Sequence, residues 1–306
     1  MADTYEIIIF YKYTPIADPK GFMRWHRDLL TQLGIRGRIL IAEEGINGTA
    51  EGTPEALGQY ETAMHAQDGS AGTFGNFSEV WFKHSPGTGN AFPKLKIKVR
   101  DEIVTLGLGK EGDIDPNKVT GTHLKPSELK QWIQNGEDFA IVDMRNDYEF
   151  QVGHFNGSIN PEMENFRDLA IKASELEQLK GKKVLTVCTY GVRCEKASGY
   201  LKTQGFEDVY QLDGGIGTYM KAYPGEDFLG SLYVFDGRIT ERFTDNYEKV
   251  GKCHACGAES ERYGNCAKPD CHRKLIICEA CAPHEEAIYC SASCLALHAT
   301  TPVGSD

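Results

Sequence analysis

The stretch "KVLTVCTYGVRCEKAS", residues 183–198, decides the fold of the central part of this chain. Its first five residues are mostly apolar or β-branched, which predicts a buried strand that ends at Cys188. Gly191 lies in the turn that follows, and the residues from Cys194 onward predict a helix. In parallel sheets, functional groups lie at the carboxyl ends of the strands. Cys188 is therefore the first candidate for a reactive group.

The segments on either side of this stretch alternate between helix and strand. Residues 127–135 predict a helix, "FAIVDMR" at 139–145 a strand, "FRDLAIKASELEQL" at 166–179 a helix and "DVYQL" at 208–212 a further strand. Strands separated by helices imply a parallel sheet that is covered on both faces. We therefore predict an α/β domain over residues 124–225.

The turn after Cys188 has the composition of an anion-binding loop. A helix N-terminus and the nearby Arg193 both lower the pKa of a thiol, and the N–H groups of the turn would point inward. The phosphatase pattern has five residues between cysteine and arginine, but only four separate Cys188 from Arg193, so a phosphatase is disfavoured. A structural cysteine buried at a strand end is the other interpretation. The turn consists of Thr189, Tyr190, Gly191 and Val192.

The N-terminal segment, residues 1–105, predicts a second fold. Asp18-Pro19 and Thr53-Pro54 are helix starts, and each is followed by apolar residues at helical spacing. The intervening β-branched stretches give the order β-α-β-β-α-β, which is that of a ferredoxin-like α+β sandwich.

Basic and apolar residues alternate in "PKLKIKVR", residues 93–100. Alternate side chains of a strand share one face, so the basic residues would form a row above an apolar underside. A solvated strand face and a track for RNA phosphates both fit this pattern. The row consists of Lys94, Lys96, Lys98 and Arg100.

The C-terminal region, residues 251–306, predicts metal binding. It contains four cysteine pairs with two to four intervening residues, the spacing of structural zinc sites, and eight thiolates suffice for two closed sites. The pairs join in sequence or interleave, and iron–sulfur clusters are the alternative to zinc. With little apolar content, this region needs metal to fold. The predicted ligands are Cys253, Cys256, Cys266, Cys271, Cys278, Cys281, Cys290 and Cys294, whereas His254, His272, His284 and His298 are expected at the surface.

The composition of the 306-residue chain narrows the classes of function. The net charge of -11 argues against non-specific coating of nucleic acid, although it allows a local basic groove. We find no apolar run of membrane-spanning length and no signal peptide, so we expect a cytoplasmic protein. Residues 106–123, rich in glycine and polar residues, predict a linker, and residues 226–250 predict an extended connector.

Several separated motifs resemble known families. Residues 124–225 resemble a rhodanese domain in "VDMRNDYEF" at 142–150, "GHFNGSIN" at 153–160, the loop Cys188–Arg193 and "LDGGIGTY" at 212–219. With "AEEGINGTAEG" at 42–52 and "KLKIKVRDEIVTLG" at 94–107, the chain resembles the TrhO (YceA) family of tRNA uridine hydroxylases.

The family resemblance implies a function and its residues. It implies oxygen-dependent hydroxylation of C5 of the wobble uridine, position 34, with Cys188 as the catalytic residue and tRNA, rather than DNA or a membrane, as the partner. Arg193 is expected to assist Cys188, and Cys194 either resolves an oxidised Cys188 or packs beneath the loop. Tyr190 stands where we expect a small residue. The residues expected to organise the domain are Asp143, Arg145, Glu149 and His154.

Two other functions fit parts of the sequence. A sulfurtransferase that carries a persulfide on Cys188 would need the same loop. A zinc-bearing RNA-binding or adaptor protein without catalysis would need only the basic strand and the metal region.

Overall fold

The computed structural model describes residues 4–283 and 287–299, with the side chains of residues 297–299 left out. Its N-terminal part is the predicted sandwich. Asp18 accepts a hydrogen bond from the Gly21 N–H at 2.8 Å and so caps the first helix, and Thr53 caps the second. The strands lie in the order β4-β1-β3-β2, all antiparallel. The elements are β1 (Tyr5–Tyr13), α1 (Pro19–Gln32), β2 (Arg36–Ala42), β3 (Gly45–Gly52), α2 (Pro54–His65) and β4 (Phe82–Gly87).

A fifth strand, β5 (Lys96–Val99), extends this sheet by pairing parallel to β2. Lys96 lies opposite Arg38 in the register, and both side chains are exposed. Ile97 is buried in the core beneath the two helices. The basic residues of β5 therefore occupy the face of the sheet that the helices leave open. Lys94 precedes the strand and Arg100 follows it.

Residues 100–121 contain no helix or strand, but they pack against the central domain. Ile103, Leu106 and Ile114 are buried, and the last two belong to the core of that domain. The segment predicted as a linker, 106–123, is thus ordered by its apolar residues and ends in β6.

The central domain has a parallel sheet in the order β6-β10-β9-β7, with Ile159 extending the far edge by a parallel bridge to Val142. Its elements are β6 (Thr122–Leu124), α3 (Pro126–Asn135), β7 (Phe139–Asp143), α4 (Asp147–Phe150), β8 (Gly153–Phe155), α5 (Leu169–Lys172), β9 (Lys183–Val187), α6 (Val192–Thr203), β10 (Val209–Leu212) and α7 (Gly215–Ala222).

The single helix predicted over residues 166–179 is wrong. Only α5 is α-helical there, between 3₁₀ turns at Phe166–Asp168 and Ala173–Leu179. The buried residues Ala173, Leu176 and Leu179 recur every three positions, and the tighter 3₁₀ turn brings such residues to one side.

The chain after the central domain packs back onto it. Strand β11 (Phe228–Gly230) pairs with β8, and β12 (Leu232–Tyr233) pairs with β13 (Thr240–Glu241). The cysteine-rich region contains β14 (Tyr263–Asn265), β15 (Lys274–Ile276) and α8 (Ala292–Ala299). The Tyr263 hydroxyl donates to the Tyr148 carbonyl at 2.6 Å, which joins this region to α4. In the described part of the chain, no helix has the length and apolar character needed to cross a membrane.

Candidate active site

The loop after β9 is held from two directions. The N–H groups of Ile216 and Gly217 in α7 donate to the carbonyls of Cys188 and Thr189 at 2.9 and 3.0 Å. The Gly191 N–H donates to the Cys188 Sγ at 3.2 Å, with a backbone φ of 99° that favours glycine. Helix α6 begins at Val192, so its N-terminus points toward the sulfur.

The environment of Cys188 favours the thiolate. Burial by itself would raise the pKa, but the hydrogen bond from Cys194, the charge of Arg193 and the N–H groups of both residues lower the pKa of Cys188 to about 6. Burial and the neighbouring Cys188 raise the pKa of Cys194 well above its usual range. The pair therefore combines one thiolate and one thiol at neutral pH.

Arg193 is bound on its far side by a carboxylate. Its two terminal nitrogens donate to the Glu149 carboxylate at 2.7 and 2.8 Å, and one also donates to the Thr189 hydroxyl at 3.2 Å. Desolvation opposes the charge of Arg193, but Glu149 more than compensates and raises the pKa of the guanidinium. The orientation of Arg193 is therefore set by α4.

The other charged residues singled out in the central domain form buried structural contacts. Arg145 and Asp143 are both fully buried, and the Arg145 Nε and Nη2 donate to the Asp143 carboxylate at 2.6 to 3.1 Å. His154 is bonded to the Phe150 carbonyl at 3.0 Å and stacks on the Phe150 ring. These contacts agree with the expected organising role.

A cavity of about 440 Å³ lies between this loop and the open face of the N-terminal sheet, a size typical of small-ligand sites. Cys188 lines its floor with no surface exposed to solvent. The sheet contributes Tyr11 and Arg38. The chain after the central domain contributes Phe235, which is 45% exposed, with its ring 5.6 Å from the Arg193 guanidinium. Sequence reasoning missed Phe235 and Tyr11 because both reach the loop through long-range packing.

Tyr190 forms a wall of this cavity. Its hydroxyl donates to the Glu241 carboxylate at 2.8 Å, and the Lys83 ammonium nitrogen lies 3.7 Å from the centre of its ring. A side chain at Gly217 would collide with the same ring, so the close approach of α7 requires glycine. The aromatic ring at this unexpected position is thus fixed in place.

The N-terminal domain touches the loop through a polar network. The Tyr11 hydroxyl donates to the Glu195 carboxylate at 3.2 Å, and Glu195 also binds His123, at 3.0 Å, and the Gln211 amide, at 2.9 Å. Lys196, fully buried, forms ion pairs of 2.7 to 2.9 Å with Glu44, Glu102 and Asp113. Helix α6 is therefore attached to both domains.

The basic strand leads to the cavity. Lys96 and Arg100 lower the pKa of Lys98 by like-charge repulsion, which shows how closely these residues are grouped. The chain continues from β5 into Ile103, which lines the cavity, and Arg38 on the neighbouring β2 lines it as well. Of the four basic residues, Lys96 and Lys98 lie on β5, Lys94 precedes the strand and Arg100 follows it.

The cysteine pairs interleave. The first and third pairs form one group and the second and fourth form another, with the sulfurs of each group within 4.8 Å of one another. These groups are able to hold metal ions. His254 contacts the Cys290 carbonyl at 3.0 Å, and neither His254 nor His272 belongs to a group among the described residues. His284 and the His298 side chain lie outside the described part. The groups are Cys253, Cys256, Cys278 and Cys281, and Cys266, Cys271, Cys290 and Cys294.

Comparison with known proteins covers nearly the whole chain. Residues 5–103 match the UPF0176 acylphosphatase like domain, residues 125–222 the rhodanese-like domain and residues 229–295 the rhodanase C-terminal model. Proteins named tRNA uridine(34) hydroxylase are 44% identical in Cytophaga hutchinsonii, over 95% of this chain and 89% of the relative, and 44% identical in Bacillus licheniformis, over 91% and 85%. One from Listeria welshimeri is 45% identical over 89% of this chain and 83% of its own. This chain belongs to the tRNA uridine(34) hydroxylase family.

Proposed function

We propose that this protein hydroxylates C5 of uridine 34 in tRNA, with Cys188 as the catalytic thiolate. Family membership supports the substrate and the reaction. The observation that carries the assignment of the site is the position of Cys188 at a cavity between the two domains, where the Gly191 N–H donates to its sulfur at 3.2 Å. The nearby Arg193 charge, which lowers the pKa of Cys188, supports the same assignment. A tRNA substrate is in keeping with a cytoplasmic protein.

The chemistry begins with the electrophilic character of uracil C6, which is conjugated with the C4 carbonyl. The Cys188 thiolate adds to C6, a carbon–sulfur bond forms, and the electron pair of the C5–C6 double bond becomes available at C5. After oxygen is attached at C5, loss of the C5 proton and departure of the Cys188 thiolate restore the double bond. A thiolate is needed for the addition because a neutral thiol is a weak nucleophile.

Dioxygen is proposed as the source of the new oxygen atom. One atom of dioxygen enters the C5–H bond and the other is reduced to water, so the reaction consumes two electrons and two protons. The C5 carbanion adds dioxygen, and the peroxide formed at C5 transfers its outer oxygen to the Cys194 thiol, which leaves a hydroxyl at C5 and a sulfenic acid at Cys194. After the Cys188 thiolate has left C6, it attacks the Cys194 sulfur and displaces hydroxide, so the disulfide of Cys188 and Cys194 accounts for the two electrons. A small-molecule thiol then reduces the disulfide for the next cycle.

In this proposal, Arg193 positions the Cys188 loop and does not contact the substrate itself. Its terminal nitrogens bind Glu149 and Thr189, so its charge reaches the substrate only through Cys188. The N–H groups of Thr189, Tyr190, Gly191 and Val192 shape the loop around the sulfur.

The open face of the N-terminal sheet is proposed as the track for the tRNA backbone. Lys96 and Lys98 lie on β5, and Lys94 and Arg100 extend the same basic stretch before and after the strand. The chain runs from this strand into the wall of the Cys188 cavity. An RNA strand that follows the cations would therefore reach the thiolate.

Zinc is proposed for both cysteine groups. Four thiolates at about 2.3 Å from one zinc ion lie roughly 3.8 Å from one another. The observed sulfur distances of 3.6 Å between Cys256 and Cys278 and 3.4 Å between Cys290 and Cys294 fit that arrangement. Zinc would supply folding energy to a region with a small core.

The test of the function is the Cys188→Ser variant. We expect no 5-hydroxyuridine at position 34 when a strain that lacks the gene is complemented with this variant, measured by mass spectrometry of tRNA nucleosides. Wild-type protein should restore it, as should Ile171→Ala, a change at an exposed residue that does not line the cavity. Hydroxylated tRNA in the Cys188→Ser strain would overturn the thiolate mechanism. Rapid thiocyanate formation from thiosulfate and cyanide, without tRNA hydroxylation by the wild type, would instead identify a sulfurtransferase.

A further inference from the structure

A second cavity, of about 340 Å³, adjoins the Cys188 cavity. The two cavities share Ile9, Tyr11 and Tyr190 in their walls, so Tyr190 is part of both. Trp81 and Lys83 of the N-terminal domain line only the second cavity.

Lys83 is a buried cation with unused hydrogen-bonding capacity. Its side chain belongs to a residue that is only 5% exposed, and its ammonium nitrogen has no hydrogen-bond partner in residues 4–283 and 287–299. The ammonium nitrogen lies 3.7 Å from the centre of the Tyr190 ring and 5.7 Å from the centre of the Phe243 ring. Burial lowers the pKa of Lys83 to about 7, despite the opposing charge of Glu241. An unpaired buried amine costs stability, so its retention calls for a ligand.

Trp81 offers a different kind of contact at the same cavity. Its indole is 54% exposed, which is unusual for the largest side chain, and it is separated from Lys83 by one residue along the chain. Exposed aromatic side chains are typical stacking surfaces for unpaired nucleobases.

We propose that the second cavity binds the nucleobase of a nucleotide next to uridine 34, with the base stacked on Trp81 and a carbonyl oxygen or ring nitrogen accepting a hydrogen bond from Lys83. This inference rests on the proposed function, since it places the neighbouring base of the same RNA. A base offers both a flat apolar face and acceptors at its edge, which matches the two side chains together. An isolated phosphate would accept a hydrogen bond from Lys83 but would not stack on the Trp81 indole.

The shared wall explains why the occupant is the base of a nucleotide adjacent to uridine 34 in the RNA. A base in the second cavity lies against one side of Tyr190 while uridine 34 lies against the other. Tyr190 is fixed by Glu241, so it separates the two bases instead of moving with either. Splaying adjacent bases apart in this way exposes the edge of uridine 34 to Cys188.

The test uses RNA hairpins with the sequence of an anticodon arm and an abasic nucleotide at position 33 or 35. Binding is measured by fluorescence polarisation with the Cys188→Ser protein, so the readout does not require turnover. Trp81→Ala should weaken binding of the intact hairpin about tenfold. One of the two abasic hairpins lacks the base that would stack on Trp81. The affinity for that hairpin should be the same with and without Trp81→Ala. Ile171→Ala serves as the matched surface control.

Lys83→Met separates a ligand role from a structural one. If Lys83 serves the RNA, this variant should bind the hairpin more weakly while its thermal unfolding temperature is unchanged or higher, because an unpaired amine has been removed. A lower unfolding temperature with unchanged RNA binding would overturn the proposal. The proposal would also be overturned if Trp81→Ala left the affinity for all three hairpins unchanged, or lowered it equally for all three. Failure of the wild-type protein to hydroxylate uridine 34 would refute the proposed function, but it would leave these binding results interpretable.

Discussion

Arg193 controls the reactivity of Cys188 although it binds Glu149. Its charge is one of the factors that lower the pKa of Cys188 to about 6, so the thiolate is present above that pH and lost below it. In Arg193→Met, we expect the pKa to rise toward the ordinary value, since burial then acts with less opposition. The midpoint of the alkylation rate against pH should move upward by at least one unit.

The Arg193→Met variant leaves the buried Glu149 carboxylate unpaired, so a second substitution at Glu149 is needed as a control. Arg193→Met with Glu149→Gln removes both charges and should preserve the fold while the alkylation midpoint stays high. An alkylation midpoint that remains near 6 in the folded double variant would show that the loop N–H groups and Cys194 suffice.

At the residue scale, the sequence predicted the local part of the site and missed the distant part. Cys188, Gly191 and Arg193 lie within six positions, and their roles in the loop follow from strand, turn and helix signals. Phe235 and Lys83 reach the loop from more than forty residues away, through packing that no local pattern encodes.

At the scale of elements, strand and helix starts were predictable where caps or β-branched runs mark them. The parallel pairing of β5 with β2 was not, since it joins strands about sixty residues apart. The broken helix over 166–179 was missed because its apolar spacing suits two kinds of helix.

Strand β5 gives a prediction for RNA binding. Lys98→Glu should weaken binding of tRNA and flatten the dependence of the logarithm of affinity on the logarithm of salt concentration, by about 0.7 for each lost phosphate contact with a single strand. Lys20→Glu, a charge reversal on the helix side of the same sheet, is the control. Equal losses from both variants would point to a general effect of net charge.

At the scale of the whole molecule, the cysteine-rich region packs against the helix behind the Cys188 loop. Tyr263 is bonded to Tyr148, and Ile276 packs with Val152, so the region rests on the helix that carries Glu149. We expect about two zinc ions per chain by elemental analysis, in keeping with the two cysteine groups.

Cys256→Ser tests that support. We expect one zinc ion to be lost and the unfolding temperature to fall, because a structural zinc site contributes several kcal/mol to folding. The alkylation rate of Cys188 should change as well, since Glu149 loses part of its packing. A coloured protein that contains iron would contradict the zinc assignment, and unchanged metal content would contradict a ligand role for Cys256.

The ion pairs of Lys196 have a mechanical consequence. Lys196 lies four residues after the start of the helix that faces the nucleophile, and its partner Glu44 lies in the turn between β2 and β3 of the N-terminal domain. Any rocking of one half of the molecule against the other must strain this buried charge cluster and tilt the helix. We therefore expect a change in the docking angle of the two halves to alter the reactivity of Cys188, which lies next to the start of this helix.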